Sequence, residues 1–170
     1  PEKATEKAKD LVKMGIAKAR LLTPEERGKA SIDGSALVIG GGVAGMTAAL
    51  EMARQGFTVD LIERASKLGG VINEAHTVFI EGKDPREVFG PLIKEVGSHS
   101  NITVHLNSTV SQVDGYTGNF QAVIKENSEE KELKYGAILL ATGSRELKPE
   151  GSYLYGDNPN VLTQGDLEKA

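Results

Sequence analysis

Residues 38–46 read VIGGGVAGM: three consecutive glycines and a fourth three positions on, set between the apolar run Ala36–Ile39 and an alanine-rich run that starts at Val43. Backbone freedom placed where a strand gives way to a helix serves either a bare tight turn or a ligand that must lie against the main chain. The pattern is Gly40-x-Gly42-x-x-Gly45. Directly after a strand and opening a helix, that spacing suits a dinucleotide's pyrophosphate. Gly40 permits the turn, Gly42 lets the pyrophosphate approach the backbone, and Gly45 lets the helix pack close to the strand. The free amides of Val43, Ala44 and Gly45, at the positive end of the helix dipole, then face the anion.

Outward from the loop, a helix is expected over Val43–Gln55, with Gly56 suited to the left-handed residue past its end and Phe57–Ile62 as a second apolar strand. Glu63 follows that strand, twenty-one residues after Gly42. There a carboxylate accepts hydrogen bonds from both hydroxyls of an adenosine ribose, and its charge opposes a 2'-phosphate. Glu63→Gln is expected to weaken cofactor binding with little loss of fold.

Asp84-Pro85-Arg86-Glu87 combines an N-cap, proline at the first helical position and an acid two residues on, so a helix should run toward Ser98. Gly90-Pro91 threatens a kink or break inside it. Ile102–Leu106 is a third strand candidate. Val110–Val113, Phe120–Lys125 and Glu132–Tyr135 alternate apolar with polar residues between turn-forming stretches, which predicts a three-stranded antiparallel meander. Ala137–Leu140 is a continuous apolar run, expected of a strand buried on both faces, and it ends in Ala141-Thr142-Gly143. The expected class is α/β: a Rossmann-like parallel sheet with helical crossovers plus the meander.

Upstream, Ala4, Ala8, Leu11, Val12, Gly15 and Ile16 fall at helical spacing among lysines, giving an amphipathic helix over Glu2–Leu22 with a solvated face. Thr23-Pro24-Glu25-Glu26 reads as the start of a further turn, and Gly28–Ser35 as a linker. The domain boundaries drawn from this are 1–34 for a helical extension and linker, and 35–170 for the nucleotide-binding domain.

The chain has 170 residues, a formal charge of -4 and no cysteine. Mixed charge gives no field for a nucleic-acid backbone or an anionic membrane. No apolar run approaches the roughly 18 residues of a membrane span and no stretch resembles a signal peptide, so a soluble cytoplasmic protein is expected. Without cysteine, disulfides, thiolate redox chemistry and cysteine-ligated clusters are excluded within these residues, and redox chemistry needs a borrowed cofactor.

Glu63 is followed by Gly69-Gly70 in ERASKLGG and, far downstream, by ILLATG. This set resembles the FAD-binding fold of the flavoproteins with two dinucleotide domains. ALVIGGGVAGMTAALEMARQGFTVDLIERASKLGG, with VDGYTGNFQAVI, ILLATGSRE and NPNVLTQGDLE, is similar to the A subunit of heterodisulfide reductase and to the flavoprotein subunits of quinone-interacting membrane-bound oxidoreductase. The leading EKATEKAKDLVKMGIAKARLL is similar to the helical connector ahead of the flavin domain in those proteins.

The resemblance implies FAD as cofactor, with Gly40, Gly42 and Gly45 at the pyrophosphate and Glu63 on the ribose. Arg64 then lies near the adenosine, Gly69 and Gly70 approach the ribityl or phosphate side, and Ala141, Thr142 and Gly143 line the pocket. Val110 offers its backbone to the adenine edge or is an ordinary apolar residue at a strand start. The implied function is flavin-dependent electron transfer in a complex with iron–sulfur subunits, toward a disulfide or quinone-linked acceptor.

Two features depart from that family. Many members carry cluster-binding cysteines after the glycine pair, where this chain reads NEAHTVFIEGKDPREVF. Members also continue well past the alanine-threonine-glycine turn, so the chain is read as a fragment. Two rival functions stay open at this level: an NAD(P)H-dependent flavoprotein reductase of the thioredoxin-reductase type, and a non-catalytic assembly module that keeps the fold. His76, His99 and His105 lack the spacing of a zinc site, and no serine–histidine–acid or lysine nucleophile constellation is legible, so neither a metal nor a catalytic residue is assigned. Arg145 and Lys148 read as solubilising charges, and Glu126–Glu132 as a solvated hairpin tip.

Overall fold

The computed structural model describes residues 2–23, 31–75, 82–127 and 129–168, and the chain divides into two compact units, 1–31 and 32–170. In the first, helix α1 (Glu2–Leu21) buries none of its residues. Glu6 pairs with Lys9 at 2.9 Å and Asp10 with Lys13 at 3.7 Å, all four side chains in solvent. The turn expected over Thr23–Glu26 falls, from Pro24 on, outside the described residues. Among those described, no helix is long and apolar enough to cross a membrane.

The second unit is built on a four-stranded parallel sheet of order β3-β2-β1-β7. Its strands are β1 (Ser35–Ile39), β2 (Thr58–Ile62), β3 (Ile102–His105) and β7 (Ala137–Leu140). Helix α2 (Val43–Arg54) joins β1 to β2, and α3 (Pro85–Ser98) precedes β3. Three antiparallel strands, β4 (Ser108–Tyr116), β5 (Asn119–Glu126) and β6 (Glu129–Tyr135), form the meander.

Alternation along the strands assigns the layers. Ala36, Val38, Val59 and Leu61 share one core with Met46, Ala49, Leu50 and Ala53 of α2 and Val96 of α3. Leu37 and Ile62, one residue out of phase, meet Ala122, Ile124 and Tyr135 of the meander in a second core. Helices thus cover one face of the parallel sheet and the meander the other. Burying a side chain such as Leu37 or Leu61 fully contributes about 1.5–3 kcal/mol.

Asp84 caps α3 by accepting from the Arg86 amide at 2.7 Å, with Pro85 at the first helical position. The break expected at Gly90-Pro91 does not occur: α3 runs through Pro91. Gly90 offers no Cβ to the proline ring, and Glu87, whose carbonyl loses its partner, is exposed and can be hydrated.

A second expectation fails at β7. This strand is not buried on both faces, because it pairs only with β1 at the end of the sheet; Leu139 and Leu140 are 37% and 74% exposed.

The two sheets are also joined by polar contacts. The Tyr135 hydroxyl donates to Asp60 Oδ2 at 2.8 Å, while His105 places Nε2 3.0 Å from Asp60 Oδ1 and Nδ1 3.4 Å from Glu126 Oε2. Burial and the Asp60 carboxylate push the Tyr135 phenol well above its usual range. The bond from His105 holds Glu126 below the usual carboxylate range. Glu126 is therefore a tie between layers rather than part of a solvated hairpin tip. His99 accepts from the Asn101 amide at 3.2 Å, His76 lies outside the described residues, and no metal-holding group of His, Cys, Asp and Glu occurs among those described.

Past β7 the chain is irregular until α4 (Gln164–Leu167), whose capping box pairs Thr163 with Asp166. Lys148, expected only to solubilise, donates to Asp166 at 2.8 Å and lies 6.0 Å from the Tyr155 ring centre. Glu146 accepts from Thr163 Oγ1 at 2.6 Å and from the Gly165 amide at 2.8 Å.

Candidate functional site

The site is assembled where β1, β2 and β7 end. Gly40 leaves β1 with a positive φ of 114° and donates its amide to the Ile62 carbonyl at 2.8 Å. A Cβ on Gly40 would collide with the Ala141 carbonyl, which the Ala141 amide, bonded to the Ile39 carbonyl at 2.8 Å, holds in place. A Cβ on Gly45 would overlap the Gly40 carbonyl oxygen. The loop can therefore lie flat against the start of α2 only with glycine at both positions.

Gly41, which the glycine spacing does not single out, is as tightly held: a Cβ there would lie 2.5 Å from Leu68 Cδ2 and 3.0 Å from Glu63. Its amide donates to Glu63 Oε2 at 2.7 Å. The other Glu63 oxygen accepts from the Ala65 amide at 2.7 Å. The main chain of Glu63 is pinned as well, its amide donating to the His105 carbonyl at 2.8 Å and its carbonyl accepting from Ser108 at 3.0 Å. Only 8% exposed, this carboxylate keeps lone pairs beyond the two backbone bonds, because an ionised carboxylate offers about four acceptor positions.

Gly42 differs from its neighbours. Its φ of -76° suits any residue, and a Cβ there would meet nothing within 4 Å. It is also the N-cap of α2, with no side chain to satisfy the first-turn amides of Val43, Ala44 and Gly45, which have no acceptor within the helix. A second glycine turn stands opposite. Gly69 donates to the Gly41 carbonyl at 2.8 Å, and a Cβ on Gly70 would come within 3.3 Å of Gly42 Cα. Open space before a glycine, unpaired helix-start donors and a fixed carboxylate at the end of β2 form a cradle that an adenosine diphosphate fits.

Of the remaining expected residues, Ala141 abuts Gly40, while Thr142 and Gly143 are exposed just beyond it. Arg64 is exposed next to Glu63 and makes no hydrogen bond or ion pair among the described residues. Val110 sits in β4 with its side chain packed against the meander core, and the cradle's contacts do not include it. A register shift between Val110 and Gln112 takes the intervening backbone off the ladder.

Residues 34–168 match the family described as pyridine nucleotide-disulphide oxidoreductase. The chain is 44% identical over 143 residues, 84% of its length, to the A subunit of the H(2):CoB-CoM heterodisulfide,ferredoxin reductase of Methanothermobacter marburgensis. It spans only 21% of that relative's length. Among solved structures, L-proline dehydrogenase from P. horikoshii aligns with a TM-score of 0.56 and 30% identity, over 72% of this chain and 24% of that one. Thioredoxin reductase from Lactococcus lactis aligns with a TM-score of 0.57 and 24% identity over 72% and 40% of the two chains, a likeness of fold. With the glycine cradle, the parallel sheet and the meander in place, this chain belongs to the pyridine nucleotide-disulphide oxidoreductase family, and the cofactor of its fold is FAD.

Proposed function

We propose that residues 35–170 are the FAD-binding domain of a flavin-dependent electron-transfer oxidoreductase like the A subunit of heterodisulfide reductase, with residues 1–34 as its N-terminal helical extension. FAD, when bound, supplies the chemistry: it takes up two electrons or a hydride and can release electrons singly. The chain's own residues bind and orient. Gly40, Gly42 and Gly45, with the amides of Val43 and Ala44, hold the pyrophosphate, and Glu63 holds the adenosine ribose. Gly69 and Gly70 face the next stretch of the cofactor. Arg64, the backbone at Val110, and Ala141, Thr142 and Gly143 border the adenosine half. Iron–sulfur subunits of a cytoplasmic complex are the electron partners, a reading supported by the names of the similar sequences.

The observation that carries this reading is Gly42. Packing within the protein explains glycine at 40, 41 and 45; it does not explain glycine at 42, where a side chain would enter open space. Gly42→Ala should therefore lower stability by about 1 kcal/mol or less, since alanine is only a poorer N-cap, yet abolish FAD binding. Thermal melting and titration of FAD, followed by flavin fluorescence, test the two arms separately. A variant that binds FAD as the wild type does would remove the pyrophosphate from this loop.

A further inference from the structure

We propose that Asn73 is a positioning residue for the cofactor, acting through the second glycine turn; this rests on the FAD reading of the site. Asn73 closes the short 3-10 turn Gly70–Asn73 and is half-buried. Its Nδ2 donates to the Leu68 carbonyl at 2.9 Å. Its carboxamide also fills the space over Gly69, where a Cβ would lie 2.7 Å from Nδ2 and 3.0 Å from Oδ1.

The two residues it holds are those that join the walls of the cradle. Leu68 is buried under Gly41, and Gly69 donates to the Gly41 carbonyl. Gly69 and Gly70 both have positive φ, 120° and 56°, so without a fixed partner this stretch has wide conformational freedom. By bonding the carbonyl just before the pair, Asn73 fixes the turn with Gly70 against Gly42, in the geometry the cofactor needs, before any ligand arrives. Preorganisation of this kind raises affinity by removing an ordering cost from binding.

The effect must be local. AMP reaches Glu63 and the start of α2 without passing Gly70, whereas FAD passes both turns. Asn73→Ala and Asn73→Leu, the second filling the same space without the donor, should each raise the Kd for FAD about three- to tenfold, the worth of one hydrogen bond. The Kd for AMP should stay within twofold. In the cofactor-free chain, hydrogen exchange at the Gly69 amide should accelerate by a similar factor. Wild-type FAD affinity in Asn73→Leu would overturn the proposal, as would parallel losses of AMP and FAD binding, which mark a general structural role. If the wild-type chain itself bound neither FAD nor AMP, the reading of the site would fall first and this inference with it.

Discussion

Glu63→Gln tests whether the carboxylate at the end of β2 belongs to the fold as well as to the ligand. In the folded chain both its oxygens accept backbone amides, from Gly41 and Ala65, each at 2.7 Å. Glutamine can satisfy one of them with its carbonyl; its NH2 group then faces the other donor. One bond to a charged group, worth about 1.5–3 kcal/mol, is lost, and the second falls to a neutral bond worth about 0.5–1.5 kcal/mol. The net cost is about 2–4 kcal/mol, a drop of about 4–16 °C in Tm for a chain of this size. Because the loss needs no ligand, it appears in cofactor-free protein followed by circular dichroism. This reverses the expectation from sequence that the substitution spares the fold. A Tm within about 1 °C of wild type would refute the reasoning, since it would mean that the loop amides are satisfied without this carboxylate.

Two further perturbations probe the surrounding scaffold. Gly45→Ala drives a Cβ into the backbone oxygen of Gly40, which no side-chain rotation relieves, so it should destabilise by about 1–3 kcal/mol or more and lower the urea midpoint. Tyr135 has its folded pKa raised by burial and by Asp60. A raised pKa means that the contribution is complete below the ordinary phenol value near 10 and is lost as pH rises above it. Urea unfolding of wild type should show falling stability above about pH 10, and Tyr135→Phe should flatten that slope; equal slopes in both proteins would count against the Tyr135–Asp60 bond.

How much of the molecule is legible in its sequence depends on how far apart the partners lie. The glycine spacing, the strand before it and the helix after it are local, and each glycine's requirement shows in a stretch of six residues. The cap at Asp84 and the left-handed Gly56 are readable for the same reason. Asp60, His105, Glu126 and Tyr135 meet across as many as seventy-five residues of chain, and no local period announces them. The run Ala137–Leu140 misleads differently: an apolar strand shows which residues seek cover, not which neighbours are present to supply it. Asn73 leaves no trace because its role depends on a turn whose shape only the folded chain reveals.

Glu63 stands between these cases, with an effect on the energetics of binding. Its distance from Gly42 announces a ribose ligand, but the bonds to Gly41 and Ala65 are hidden in the sequence, and they make one carboxylate serve binding and folding together. A ligand that binds only the folded state adds RT ln(1 + [L]/Kd) to stability, about 2.7 kcal/mol at a hundred times Kd. In Gly42→Ala this increment should vanish while cofactor-free stability stays within about 1 kcal/mol of wild type. In Glu63→Gln both should fall. The two variants, melted with and without FAD, therefore separate a loop that merely packs from one that packs in order to bind. Equal behaviour of the pair in the absence of cofactor would show that Glu63 contributes nothing to the fold beyond what Gly42 does.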